Sequence, residues 1–212
     1  MRLFWGLMGM SKVRKSGKLV HGFGVNDADY TVQKKELVNG KFKTLWNCPF
    51  YKKWADMIRR CYSKSFLEKW PNYKGCSVCD EWKSFMAFRK WMMVQDWEGK
   101  QLDKDFLVRG NRKYSPETCV FIHQKVNTFL NDHSRVKGGT LIGTTWHKRD
   151  CKFVSQCRNP FTGKQERLGY HDTEISAHLA WKKRKHEIAC ELADSEYVTD
   201  ERVRVALRNW YK

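Results

Sequence analysis

Apolar residues recur along this chain at intervals that change from one stretch to the next, and each interval predicts a different element. Spacings of three and four mark one buried face of a helix. They occur in five stretches, which are residues 49–62, 80–94, 123–130, 173–192 and 199–210. Thr173 precedes the fourth stretch and can accept a hydrogen bond from a free amide of its first turn. The pattern therefore predicts five helices.

Short apolar runs and strict alternation predict strands elsewhere. They occur at residues 102–108, 119–122, 144–147, 152–158 and 165–170. The pair Asn39-Gly40 is typical of a hairpin turn. We therefore expect an α+β fold, in which a central helical domain carries a strand–strand–helix hairpin. A three-stranded antiparallel sheet packed on a helix follows it.

Turn signals and changes in composition divide the chain into consecutive segments. Gly138-Gly139 marks a linker between the two expected domains. The predicted segments are a basic flexible tail (1–20), an N-terminal segment (21–48), a central domain (49–133), the linker (134–140), a sheet domain (141–195) and a C-terminal helix (196–212).

The charge balance adds a partner to this picture. Lysine and arginine number 41 against 23 aspartates and glutamates, which gives a formal net charge of +18. Such an excess favours a polyanion, because each phosphate that is neutralised releases a counterion. No apolar run approaches the ~20 residues that span a bilayer. We expect double-stranded DNA as the partner, no membrane contact, and a cytosolic protein whose cysteines are reduced.

Strand alternation places suitable groups for DNA on one face of the predicted sheet. Lys152, Gln156 and Arg158 share a face, with Phe153 and Cys157 on the other. The cations suit phosphate or guanine, and the amide suits adenine. Residues of the neighbouring strands that alternation assigns to such faces are Thr145, His147, Gln165 and Arg167. The cationic run at 182–185 is typical of a solvated helix face that can add phosphate contacts.

The sheet domain resembles the plant AP-two, or ethylene-response-factor, domain. The matching stretches are Gly143-Thr144-Thr145-Trp146, residues 152–158, Leu168-Gly169-Tyr170, Thr173-Glu174 and Ala177 through Trp181. The resemblance implies that the sheet enters the major groove. The family has arginines where Thr145 and His147 stand, so a different base specificity is expected. The DNA-binding residues it implies are Thr145, His147, Lys152, Gln156, Arg158 and Arg167.

The central domain resembles bacteriophage HNH-type homing endonucleases. The residues that carry the resemblance are Trp54, Met57, Arg60-Cys61, Gly75-Cys76, Cys79, Trp82, Phe85, Leu102-Asp103-Lys104-Asp105, Gly110-Asn111, residues 114–119 and Asn127. It implies a ββα-metal hairpin that holds one divalent cation, Mg²⁺ or Mn²⁺, and a host-cell location in the cytoplasm of an infected bacterium. The cation would stabilise charge on the scissile phosphate.

Carried onto this chain, the family's pattern gives each candidate catalytic residue a role. Asp103 and Asn127 take the metal-ligand positions, and Asp105 is a further ligand candidate. Lys104 stands where the family has its histidine base, and a lysine is protonated at neutral pH unless it is strongly desolvated. His123 is the candidate substitute base, four residues before Asn127 on the predicted helix.

Three interpretations of the protein's function stay open. The first is a homing endonuclease that binds through the sheet and cleaves through the hairpin. The alternative is a degenerate nuclease that only binds DNA, or a protein that engages a host factor. The pair Cys76 and Cys79 has the spacing of two Zn²⁺ ligands, and Cys61 and Cys119 are the candidates for the other two. The spacing of all four cysteines does not resemble a known zinc pattern, which disfavours this site.

Overall fold

The computed structural model describes residues 17–131 and 139–212. The predicted basic tail and the predicted linker therefore lie largely outside the described residues. The chain divides into two compact units. The N-terminal unit comprises the residues up to Gln95 together with Gly110–Thr118, and the C-terminal unit comprises Asp96–Arg109 and Cys119–Lys212. The sequence boundary near residue 133 does not follow this division, because the predicted strand–strand–helix hairpin belongs to the C-terminal unit.

The N-terminal unit begins with an antiparallel hairpin of β1 (Gln33–Val38) and β2 (Lys41–Asn47). Asn39 and Gly40 form its turn with φ angles of 50° and 73°. Asparagine and glycine tolerate this left-handed conformation best, which is why the pair specifies a tight hairpin. The predicted turn is confirmed.

Three helices follow the hairpin in this unit. They are α1 (Pro49–Tyr62), α2 (Lys64–Lys69) and α3 (Phe85–Met93). Short 3₁₀ turns at Pro71–Tyr73 and Glu81–Lys83 and a parallel pair, β3 (Ser77–Val78) with β5 (Lys113–Tyr114), complete it. The apolar stripe predicted for α1 is buried at Trp54, Met57, Ile58 and Cys61. Asp27 fixes the start of α3, since its carboxylate accepts from the Ser84 hydroxyl at 2.5 Å and the Met86 amide at 2.9 Å.

The C-terminal unit contains the strand–strand–helix unit that the sequence predicts. Strand β4 (Lys100–Asp103) pairs antiparallel with β6 (Val120–His123), and α4 (Gln124–Leu130) follows directly. The strand expected at 102–108 is shorter and begins earlier. The reason is the Asp103 carboxylate, which accepts hydrogen bonds from the amides of Asp105 (2.9 Å) and Phe106 (2.7 Å) and turns the chain away from the ladder.

The predicted antiparallel sheet has the order β7 (Thr144–His147), β8 (Lys152–Arg158), β9 (Gln165–His171). Helix α5 (Glu174–Ala193) follows and is capped by the Thr173 hydroxyl, which accepts from the Ser176 amide at 3.1 Å. Helix α6 (Glu201–Asn209) ends the fold. The core cluster joins α5 to its neighbours through Val126, Phe129, Cys157, Trp181, Ile188, Leu192, Val203 and Leu207. The mixed architecture confirms the α+β class.

Candidate functional site

The β7–β9 sheet has one covered face and one open face. Helix α5 covers the first, where Ser155 and Cys157 are buried and Glu166 forms an ion pair with Arg184 of the helix at 2.8 Å. On the other face Lys152, Gln156 and Arg158 stay half-buried or exposed. These three side chains therefore share the face opposite to Ser155 and Cys157, on which Val154 is buried, and their contact with DNA stays a prediction.

The open face of the sheet is defined by three rows of cross-strand neighbours. His147 lies opposite Lys152, Thr145 and Tyr170 flank Val154, and Gln156 lies opposite Arg167. Arg158, one pleat beyond Gln156, completes the face at its exposed end. All six candidate DNA-binding residues are thus brought onto one surface of the C-terminal unit.

Tyr170 is a member of this face that sequence reasoning missed. Regular alternation from Arg167 would send it to the covered face, but a register shift between Ser155 and Gln156 moves the later part of β9. Tyr170 is exposed, its hydroxyl lies 3.3 Å from an Arg167 amino group, and the Arg167 guanidinium lies 5.7 Å from its ring centroid. Gly169 inside the strand, with φ 126°, was the available signal of the bulge.

The charges on the open face are not equally free to meet a ligand. Lys152 forms an ion pair with Asp172, which holds the pKa of that carboxyl below its usual range. His147 Nδ1 lies 3.2 Å from an Asp150 carboxylate oxygen. Arg158 and Arg167 form no ion pair with any residue in the described ranges. Within those ranges, no carboxylate therefore neutralises these two guanidinium groups.

Gln156 and Arg158 also border a cavity of about 520 Å³. Its opposite wall is α4, with Gln124, Lys125 and Thr128. The Lys125 ammonium is already engaged, because it donates to the Tyr197 hydroxyl at 2.7 Å and lies 4.2 Å from that ring centroid. Cys157 and the α5 residues Trp181 and Lys185 also line this cavity, so it lies between the end of the sheet, α4 and α5 rather than on the open face alone.

The cationic run at 182–185 is not a uniformly solvated surface. Lys185 is 3% exposed, and its ammonium donates to the Phe129 carbonyl at 2.7 Å and lies 3.6 Å from the Phe129 ring centroid. Arg184 is held by Glu166, Glu187 and Glu191. Two of the four cations thus have structural partners, and the expectation of phosphate contacts is limited to Lys182 and Lys183.

The candidate nuclease residues are spread along the β4–β6 ladder. Asp103 lies opposite Val120, whereas His123 lies opposite Lys100. Three residue steps separate the two positions, which is about 10 Å along a strand. His123 also has a structural task, because its Nδ1 accepts from the Lys125 amide at 3.1 Å and its ring stacks on Tyr197 at 4.7 Å between centroids. The structure therefore does not bring the candidate base to Asp103.

Asp103, Lys104 and Asp105 do form a local charge cluster. Burial, together with the neighbouring Asp105 carboxylate, raises the pKa of Asp103, although two backbone amides act in the opposite direction. The buried Lys104 places its ammonium 3.3 Å from an Asp105 oxygen. Lys104 therefore forms an ion pair with Asp105 in this cluster.

Asn127 approaches the same strand from α4. Its amide donates to the Gln101 side-chain oxygen at 2.6 Å, and Gln101 shares a face of β4 with Asp103 because the two are two positions apart. Asn127 thus bonds to the neighbour of Asp103 on that face. One carboxylate oxygen of Asp103 accepts the two amide hydrogen bonds of the turn, and the Lys104 ammonium forms an ion pair with Asp105. These residues do not fit the one-cation ligand set that the HNH resemblance implies.

No three histidine, cysteine, aspartate or glutamate side chains within residues 17–131 and 139–212 form a group that could hold a metal ion. Cys76 and Cys79 are buried at the two ends of β3, and Cys61 is buried in α1. Binding of Mg²⁺, Mn²⁺ or Zn²⁺ stays a prediction. In the same ranges, no helix has both the length and the apolar content needed to cross a bilayer.

Compared with known proteins, the chain matches no family model, no curated protein sequence and no solved structure.

Proposed function

We propose that this chain binds double-stranded DNA through the open face of the β7–β9 sheet. The observation that carries the proposal is that Gln156, Arg158 and Arg167 share the face of the sheet opposite to Cys157 and Glu166, on a chain with a net charge of +18. The AP-two resemblance, which implies the same face, supports it. The bacterial host cytoplasm is part of this proposal and rests on the phage resemblance.

The chemistry of the open face suits base edges as well as phosphates. An arginine can pair with guanine through two hydrogen bonds, and a glutamine can do so with adenine. The Thr145 methyl group suits the thymine methyl. The Tyr170 hydroxyl orients Arg167, so that less side-chain entropy is lost on binding. Lys152, which is partly neutralised by Asp172, contributes less than the two arginines.

Replacing Arg158 with alanine is expected to weaken binding to a specific duplex by about 1–3 kcal/mol if the guanidinium reads a base. The measurement is a titration of fluorescently labelled duplex at fixed salt, followed by a hydroxyl-radical footprint. Arg208→Ala, which removes an exposed arginine of α6, is the matched control and should change affinity little. An Arg158→Ala protein with unchanged affinity and an unchanged footprint would rule out the assigned face.

Metal-dependent cleavage is the second candidate function, and the paired Asp103 and Asp105 carboxylates within a strand–strand–helix unit favour it. Against it stand Lys104 in the position of the base and the remote place of His123. The arrangement supports a DNA-binding derivative of an HNH-type nuclease better than an active homing endonuclease.

A plasmid-nicking assay with Mg²⁺ or Mn²⁺ separates these two functions. We expect the wild-type chain to shift the plasmid in a binding assay and to leave it supercoiled. Asp103→Asn and Asn127→Ala serve as matched variants, and asparagine keeps the oxygen that accepts from the Asp105 and Phe106 amides. Nicking by the wild type that both variants abolish would establish the enzyme and overturn the binding-only proposal.

A further inference from the structure

The β1–β2 hairpin has no packed face of its own. Every residue of both strands is exposed except Gln33 and Asn47, which are half-buried at the open end. A two-stranded hairpin is at best marginally stable by itself in water. A long exposed hairpin with apolar side chains therefore indicates a contact with a partner. Its large apolar members are Leu37, Val38, Phe42, Leu45 and Trp46, and Phe42 is 75% exposed.

The register places the most exposed apolar pair next to the turn. Leu37 lies opposite Phe42, two positions from Asn39-Gly40 on either side. Pairs at this position share one face of the ribbon, and Lys35 opposite Thr44 continues that face toward the base. The tip is therefore apolar, and the stem below it carries lysines, with Leu45 and Trp46 exposed at its base.

The hairpin carries a clear excess of positive charge. Lys34, Lys35, Lys41 and Lys43 lie along it, and Glu36 is its only acid. None of the four lysines forms an ion pair with another residue of the described chain. Lysines spaced along a ribbon complement a phosphate backbone, because each contact releases a counterion.

We propose that the β1–β2 hairpin is a second DNA-contacting element, in which the four lysines bind backbone phosphates and the Leu37–Phe42 tip packs in a groove of the duplex. A two-stranded ribbon fits the major groove, and apolar wedges enter between base steps in the minor groove. The inference rests on the proposed function for the identity of the partner. It adds a separate element and a different mode of contact.

Charge favours DNA over a second copy of this chain as the occupant. Two such ribbons would bring eight lysines together, and lysines on an edge oppose strand-to-strand pairing. With DNA, the hairpin lysines and the arginines of the open face bind the same kind of polyanion, so each element adds phosphate contacts of its own.

The test is the salt dependence of duplex binding by the full chain. The variant Lys34→Gln, Lys35→Gln, Lys41→Gln, Lys43→Gln should reduce the slope of log K against log salt by about 2–4 if the lysines contact phosphates. The matched control changes four exposed lysines elsewhere in the same unit to glutamine, namely Lys52, Lys64, Lys69 and Lys74, and should change the slope by less than about 1.

Phe42→Ser supplies an independent readout. It should lower affinity several-fold and leave the salt slope unchanged, since an apolar contact releases no counterions. Circular dichroism should show the wild-type melting temperature, because the side chain is exposed. In a hydroxyl-radical footprint, the hairpin variants should lose one protected region, whereas Arg158→Ala should affect a different one.

Each other outcome has a definite meaning. A wild type that binds duplex, with hairpin variants that keep its slope and footprint, would overturn the hairpin proposal and leave the sheet proposal standing. A wild type that binds no duplex would overturn the proposed function, and this inference with it. Dimers without DNA that dissociate on Phe42→Ser, seen by analytical ultracentrifugation, would assign the ribbon to self-association instead.

Discussion

Replacing Gly143 with alanine should lower the free energy of unfolding of the C-terminal unit by about 2–5 kcal/mol. Gly143 has φ 79°, a conformation that costs a residue with a side chain about 1–2 kcal/mol. A Cβ at this position would lie 2.1 to 2.7 Å from atoms of the Trp181 side chain, where overpacking typically costs a further ~1–3 kcal/mol. Urea unfolding followed by circular dichroism measures the loss.

Gly163→Ala is the matched control for this substitution. Gly163 lies in the turn between β8 and β9 of the same sheet with φ 69°, but a Cβ there would meet nothing within 4 Å. The control should therefore show the backbone cost alone, on the order of 1 kcal/mol. Equal losses for the two variants would mean that Trp181 does not pack against Gly143. We expect Gly143→Ala to weaken DNA binding at assay temperature by partly unfolding this unit, and Gly163→Ala to bind as the wild type does.

Replacing Trp54 with alanine should destabilise the N-terminal unit by about 3–5 kcal/mol, the range for deleting a large buried aromatic side chain. Trp54 is completely buried in α1, with the Tyr51 and Phe85 rings at 5.6 and 5.5 Å between centroids. Its indole nitrogen donates to the Trp82 carbonyl at 2.7 Å. Gly24 allows the backbone to approach the ring, since a Cβ there would be 2.6 Å from it.

Two further variants separate packing from hydrogen bonding at this position. Trp54→Phe keeps most of the apolar contact and leaves the Trp82 carbonyl unpaired, so an intermediate loss in urea unfolding is expected. Trp70→Ala removes an indole that is 48% exposed and should cost less than about 1 kcal/mol. A Trp54→Ala protein as stable as Trp70→Ala would contradict the packing of α1 described above.

Local signals in the sequence predicted most elements of the fold. Helix α1 starts and ends where the apolar spacing and Pro49 indicate, and β8 has its predicted bounds. The strand after Leu102 was predicted too long because an apolar run does not show that Asp103 will bind the following amides. That choice depends on how the side chain competes with the ladder, and the residue pattern is compatible with either outcome.

The sequence predicted which side chains share a face of the sheet, but it did not predict the distances between the candidate nuclease residues. Alternation assigns Gln156 and Arg158 correctly, because β8 keeps a regular pleat on that side. Whether His123 reaches Asp103 depends on the pairing register of β4 with β6, and no short pattern specifies that register. The sequence identifies the chemical groups of the candidate nuclease site, whereas the pairing register of β4 with β6 determines which of these groups lie close together.

Lys185 shows a signal that was available and not used. Trp181, Lys185, Ile188 and Leu192 follow one another at spacings of four, three and four, which is the buried stripe of α5. The neighbouring cations made the position look solvated. A long side chain can bury its methylenes and still place its ammonium on a carbonyl, as Lys185 does with Phe129.

The turn between β7 and β8 has a practical consequence for work with this protein. Cys151 occupies it with φ 47°, and it is exposed, whereas the other seven cysteines are buried or half-buried. Its thiol is therefore the natural attachment point for a maleimide dye on the unmodified chain. The label would sit one residue from Lys152, at the rim of the open face, where its emission would report directly on duplex arriving or leaving.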